Sequence, residues 1–237
     1  MKKFKQITLT LGMLVANNAN ALMLDTMLLI GDKYGNGVFS LTNNTGMTEY
    51  VESSIIEFTV DDKGQLERKN YTKENFIDWN ITLTHPKLIL EKERTKQVGV
   101  RSLCGSMCTF KDDQYYLINF APSPYNDSSE QTSAVSVNFG YRPLFVIPAE
   151  ISEIKFDIKY ENNKLKIKND SNTFLRFYID HCSKEIKENC ESTIISLSGR
   201  ERSYSLPENI DVNNMKFTVV NHDESYKEEV VVEKNEP

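Results

Sequence analysis

Ser133-Ala134-Val135-Ser136-Val137-Asn138-Phe139-Gly140-Tyr141 is the stretch on which the fold turns. Val135, Val137, Phe139 and Tyr141 fall on alternate positions, with Ala134, Ser136, Asn138 and Gly140 between them. Successive side chains of a β-strand point to opposite faces, so this spacing predicts a strand with one dry and one wet face. Strands of that kind build antiparallel sheets that pack on one side only.

The same pattern extends in both directions. Upstream, Ser53 to Val60, Lys87 to Leu90, Gln97 to Leu103 and Tyr115 to Ala121 are short and rich in β-branched or aromatic residues. Downstream come Ile154 to Tyr160, Lys164 to Lys168, Thr173 to Asp180, Lys216 to Val220 and Glu228 to Glu233. In Lys164 to Lys168, Leu165 and Ile167 point one way and the lysines the other. Turn chemistry separates the runs, as in Asp61-Asp62-Lys63-Gly64, Ser123-Pro124-Tyr125-Asn126-Asp127 and Asn169-Asp170-Ser171-Asn172. Only Lys73 to Trp79 has room for a helical turn. The expectation is an all-β chain of two immunoglobulin-like sandwiches. Pro148-Ala149-Glu150, after Leu144-Phe145-Val146-Ile147, breaks strand pairing and sets the boundary: 22–147 for the first sandwich, 148–237 for the second.

The first residues read as an export signal. Lys2, Lys3 and Lys5 precede a short apolar run from Ile7 to Val15, and Ala19-Asn20-Ala21 has the small-x-small pattern of a cleavage site. That run is too short to span a bilayer, so residues 1–21 are assigned as a signal peptide and the mature chain to the periplasm. Removing the three lysines of the signal takes the formal charge from −6 to −9. So acidic a chain argues against a nucleic-acid partner, which requires clustered Lys and Arg. The four cysteines form two close pairs, Cys104 with Cys108 and Cys182 with Cys190, which behind a signal peptide read as disulfides. Four thiolates can also hold zinc, but neither pair has the C-x2-C knuckle spacing, and no metal is expected.

No catalytic signature is present: there is no G-x-S-x-G, P-loop, H-E-x-x-H or G-x-G-x-x-G. His85, His181 and His222 are scattered, and the acidic pairs Asp61-Asp62 and Asp112-Asp113 sit in turn-like segments. The chain therefore reads as a binding protein, with no enzyme activity, cofactor or small-molecule substrate.

Several segments, in order, resemble those of PapD-like periplasmic pilus chaperones. They are Leu24-Asp25 with Val38 to Asn44, Leu83 to Leu90 with Thr95 to Leu103, Gln114 to Phe120, and Val137 to Pro143 with its Tyr141-Arg142-Pro143 ending. His181-Cys182 through Asn189-Cys190 resembles the second-domain cysteine pair of several members, including the alternate branch that serves colonisation-factor fimbriae. The resemblance implies two sandwiches in a boomerang arrangement, lending an edge strand to fimbrial pilin subunits and delivering them to an outer-membrane usher. The lent strand would lie around Thr132 to Tyr141, with Val135, Val137 and Phe139 filling the subunit's groove and Asn138 among them. The same side chains can equally fill the chain's own core. The basic pair that anchors a subunit carboxylate in the well-studied branch falls here on Met27 and Asn138, which leaves Arg101 as a substitute anchor. Arg142 matches an arginine that joins the two domains, through Asp113 and Asp223 by position. The competing reading is a fimbrial structural subunit or adhesin built from Ig-like domains.

Overall fold

The computed structural model describes residues 21–61, 63–104, 109–125, 139–161, 164–180, 182, 190–205 and 215–232. Val135, Val137, Asn138 and Cys108, and the signal assigned to the first residues except Ala21, lie outside them.

Among the described residues, ten strands precede Pro148. They are β1 (Leu22–Leu24), β2 (Leu28–Ile30), β3 (Gly37–Asn43), β4 (Glu49–Val60), β5 (Leu66–Asn70), β6 (Ile81–Leu83), β7 (Lys87–Leu90), β8 (Thr95–Ser102), β9 (Gln114–Pro124) and β10 (Leu144–Ile147). The candidate helical segment is a 3-10 turn, Lys73–Asp78. One sheet runs β1-β3-β8-β6; the other runs β2-β10-β9-β4-β5, with β7 also on β4. The chain changes sheets between β1 and β2, where the Thr26 hydroxyl donates to Leu28 O at 2.8 Å. β2 then runs parallel to β10, with Leu29 opposite Phe145.

The two sheets close because their inner faces alternate. Phe39 and Leu41 of β3 are buried while Ser40 and Thr42 are not. Facing them are Val51 and Ile55 of β4, Tyr116, Ile118 and Phe120 of β9, and Phe145 of β10. Phe39 meets Phe120 edge-on across the sandwich, with ring centres 5.6 Å apart. That is the geometry aromatic quadrupoles favour.

Among the described residues seven strands follow: β11 (Phe156–Glu161), β12 (Lys164–Asn169), β13 (Leu175–Asp180), β14 (Glu191–Ser196), β15 (Glu201–Ser205), β16 (Lys216–Val220) and β17 (Lys227–Val231). Their sheets are β11-β12-β15 and β14-β13-β16-β17. Leu165, Ile167, Leu175, Phe177, Ile179, Phe217 and Val219 form the second core. Among the described residues no strand ladder joins β1–β10 to β11–β17, so the fold is two β-sandwiches in tandem. Cys182 and Cys190 form a disulfide with Cα atoms 4.8 Å apart, at the loop end of the β13–β14 hairpin beside the Asp180–Glu191 pair. Cys104 is also disulfide-bonded.

A third apolar cluster belongs to neither sandwich alone. Phe58, Tyr115 and Val146 of the first pack with Phe174 of the second, flanked by Leu66 and Leu197. Phe58 and Tyr115 stack with ring centres 5.5 Å apart.

Candidate functional site

β9 is unequally covered along its length. On one side it pairs with β4 throughout, from Phe58 opposite Tyr115 to Glu49 opposite Pro124. On the other, β10 covers only Gln114 to Leu117. The cover continues through the Ile118 N–H, which donates to Pro143 O at 3.0 Å, and through a two-way bridge between Phe120 and Tyr141. Beyond Phe120, the outer edge of Ala121–Pro124 is paired with no described residue.

The segment reaching this edge is fixed at its base. Tyr141 donates its hydroxyl to Leu22 O at 2.7 Å, tying the segment to β1 in the opposite sheet. Gly140 lies so close to β9 that a Cβ there would stand 2.5 Å from Phe120 O. Phe139, one residue further out, is 75 % exposed. Asn119–Pro122 and Gly140–Arg142 border a shallow cleft of about 400 Å³ here.

Arg101 is not part of this arrangement. It sits exposed on β8, opposite Thr82 of β6, in the other sheet, and it does not border the cleft. The reason is local: β8 alternates inward Val98 and Val100 with outward neighbours, which turns Arg101 to solvent. Met27 is also exposed, and its carbonyl accepts from Leu144 N–H at 2.9 Å.

The expected ion pair of Arg142 with Asp113 and Asp223 is not formed. Arg142 is exposed at the cleft and pairs with no acid among the described residues. Asp113 is 6 % exposed and is held entirely by neutral donors. Its Oδ1 accepts from Ala149 N–H at 2.9 Å. Its Oδ2 accepts from Phe174 N–H at 2.8 Å, from the Thr173 hydroxyl at 3.1 Å and from the Tyr115 hydroxyl at 3.2 Å. With these donors in place the carboxylate has no need of a guanidinium. Burial pushes its pKa up, and the hydrogen bonds from Ala149, Phe174, Thr173 and Tyr115 pull against that. Asp223 is occupied within its own turn, accepting from Ser225 N–H and hydroxyl, and these bonds hold its carboxyl below the usual range.

Asp113 is nonetheless where the two sandwiches meet. Its own N–H donates to Asn172 O, and the Asn172 side chain donates to Lys111 O at 2.7 Å and Ile151 O at 2.8 Å. The Tyr115 hydroxyl accepts from Ser198 N–H at 3.0 Å. In the sequence Asn172 reads as a turn residue and Thr173 as the start of a strand run, and no local pattern marks either as a partner of Asp113, some sixty positions away. Beside this junction lies a cavity of about 620 Å³ that includes Lys33, Phe110, Ile147 and His222.

The described residues hold no group of three or more His, Cys, Asp or Glu suited to a metal, and no described helix is long and apolar enough to cross a membrane.

Comparison with known proteins agrees with this geometry. Over most of its length the fold is similar to that of the class 5 fimbriae chaperone CfaA (TM-score 0.54, 13 % identity, 89 % of this chain and 98 % of that one). It is also similar to a chain from the complex of Salmonella enterica SafA pilin with the SafB chaperone (TM-score 0.57, 13 % identity, 91 % and 98 % covered). A curated relative, an uncharacterised 25.9 kDa protein in the CS5 3' region of Escherichia coli, is 20 % identical over 184 residues, covering 76 % of this chain and 80 % of that protein. The family model described as the CS5 fimbrial protein N-terminal domain matches residues 24–148, more than half of the chain. The protein is a member of that CS5 fimbrial family, on a two-sandwich fold shared with fimbrial chaperones.

Proposed function

We propose that this protein is a periplasmic assembly chaperone that caps fimbrial subunits by lending them an edge strand. The observation that carries this reading is the segment running along β9 into the Phe120–Tyr141 bridge, with Phe139 exposed beside it and Gly140 and Tyr141 fixing its base, on a fold similar to that of fimbrial chaperones. Main-chain hydrogen bonds along such an edge give affinity, and alternate side chains entering a partner's apolar groove give fit. Val135, Val137 and Phe139, on one side of the strand read from the sequence, are the side chains that would enter the groove. Capping removes a large apolar surface from water and so keeps the subunit soluble without any nucleotide. The complex would then pass its subunit to an outer-membrane usher. Both sandwiches have closed cores of their own, which supports a lender of strands over a receiver.

The test is periplasmic co-expression with the pilin encoded beside this protein, followed by affinity capture. The reading predicts a soluble one-to-one complex, lost when Val135 and Val137 are both changed to Asp while the free protein keeps its near-UV circular dichroism. A pilin that stays soluble and assembles equally well without this protein would instead favour a structural subunit or adhesin, the reading nearest to a CS5 fimbrial protein family.

A further inference from the structure

Arg200 and Arg202 take no part in the edge or in the Asp113 junction. Arg200 closes the turn after β14 by donating its N–H to Leu197 O at 3.2 Å, and Arg202 lies on β15 opposite Ile167. Both side chains line a recess of about 110 Å³ that also includes Leu66 of β5 and Ile195, Ser196 and Leu197 of β14 and its turn. One wall therefore comes from the first sandwich and the rest from the second. Leu66 and Leu197 are at the same time the flanks of the interdomain apolar cluster, so the recess opens on the seam.

Neither guanidinium has an ion-pair partner among the described residues. Glu201, the acid between them in sequence, is engaged by Lys166 at 2.8 Å. Arg200 is half-buried. Burial, and after it the charge of Arg202, both act against its protonated form. Two uncompensated cations held together against apolar walls cost free energy that one anion between them would offset.

Size and geometry narrow the ligand. A water occupies roughly 30 Å³ in the liquid, so the recess has room for a group of a few heavy atoms and none for a nucleotide. Guanidinium forks match planar or tetrahedral oxyanions bidentately. We propose that the Arg200–Arg202 recess is an oxyanion-binding site at the domain seam, taking either the carboxylate of an acidic protein segment or a free phosphate.

The experiment compares thermal unfolding and calorimetric titration of the purified full chain in sodium glutarate, sodium phosphate and sodium chloride at matched ionic strength. The site predicts saturable binding of glutarate or phosphate, with the midpoint raised by about 3 °C at ten times the dissociation constant, and no such response to chloride. The stronger of the two responses names the source of the anion. R200Q/R202Q should abolish the response and R202K should keep part of it. Arg202 is exposed, so R202Q alone serves if the double variant does not fold. An equal response in wild type and R202Q, or a response to glutarate and phosphate no larger than to chloride, would overturn the assignment.

Discussion

A carboxylate buried as deeply as Asp113 keeps its charge only if the protein replaces the water it has lost. Here the replacement is two backbone N–H groups and two hydroxyls, drawn from both sandwiches. An Asn side chain is nearly isosteric but has one acceptor oxygen. Its NH2 group would face either Ala149 N–H or the donors around Oδ2. D113N should therefore cost about 1–3 kcal/mol, the usual effect of leaving a buried donor unmade, measurable as a lower urea midpoint. The pH dependence has a definite sign. Burial raises the folded-state pKa of Asp113 above its ordinary value, so the native state binds this proton more readily than the unfolded chain. The contribution of Asp113 to stability then falls as pH rises through that window. Wild type should gain on the non-titrating D113N as pH is lowered from neutrality toward the Asp113 pKa. Urea titrations of both proteins at several pH values check this; a difference independent of pH across the acid range would contradict it.

At the scale of elements, what matters is how the chain returns along β9. Phe120 and Tyr141 exchange both backbone hydrogen bonds, and only glycine permits the approach that this requires one residue earlier. G140A would drive a methyl group into the Phe120 carbonyl and push the segment off the edge. On the strand-lending reading the variant should fold, because both cores are untouched, yet lose most of its affinity for pilin in the capture experiment. Full binding by G140A would show that the approach at Gly140 does not matter to the client. Sequence reasoning reaches this element unevenly. Strands with one dry face are legible from alternation: β7 and β16 coincide with the runs Lys87 to Leu90 and Lys216 to Val220, and β4, β8, β9, β12 and β13 lie close to theirs. β5, β14 and β15 carry few inward apolar residues and are mostly exposed, so the signal that reveals a strand is absent from them. The expected link from Arg142 to Asp113 and Asp223 does not form, for a different reason. Positional resemblance identifies a place in the fold, whereas the partners of a carboxylate depend on which donors the packed turns bring to it, and Ala149, Thr173 and Phe174 have no such role written in their local sequence.

At the scale of the whole molecule, the question is whether the two sandwiches unfold as one. Each has its own core, and interfaces between domains of one chain are commonly weak enough to move. Here the seam combines a polar node at Asp113 and Asn172 with an apolar cluster in which Phe174 is almost fully buried against Phe58, Tyr115 and Val146. Because Phe174 N–H also donates to Asp113, one residue serves both halves of the seam. Truncating its ring to alanine keeps that backbone donor and removes the apolar part, with a cost of about 3–5 kcal/mol for a buried aromatic. If the seam couples the sandwiches, wild type should melt in a single calorimetric transition, and F174A should melt in two, the lower one belonging to the half left without support. A single transition in F174A, merely shifted down, would mean that the polar node alone suffices for coupling. Two transitions already present in wild type would mean that the sandwiches are thermodynamically separate. The distinction bears on function, because β9 runs from the seam at Tyr115 to the edge beyond Phe120, and a rigid seam presents that edge to a client in one orientation instead of many.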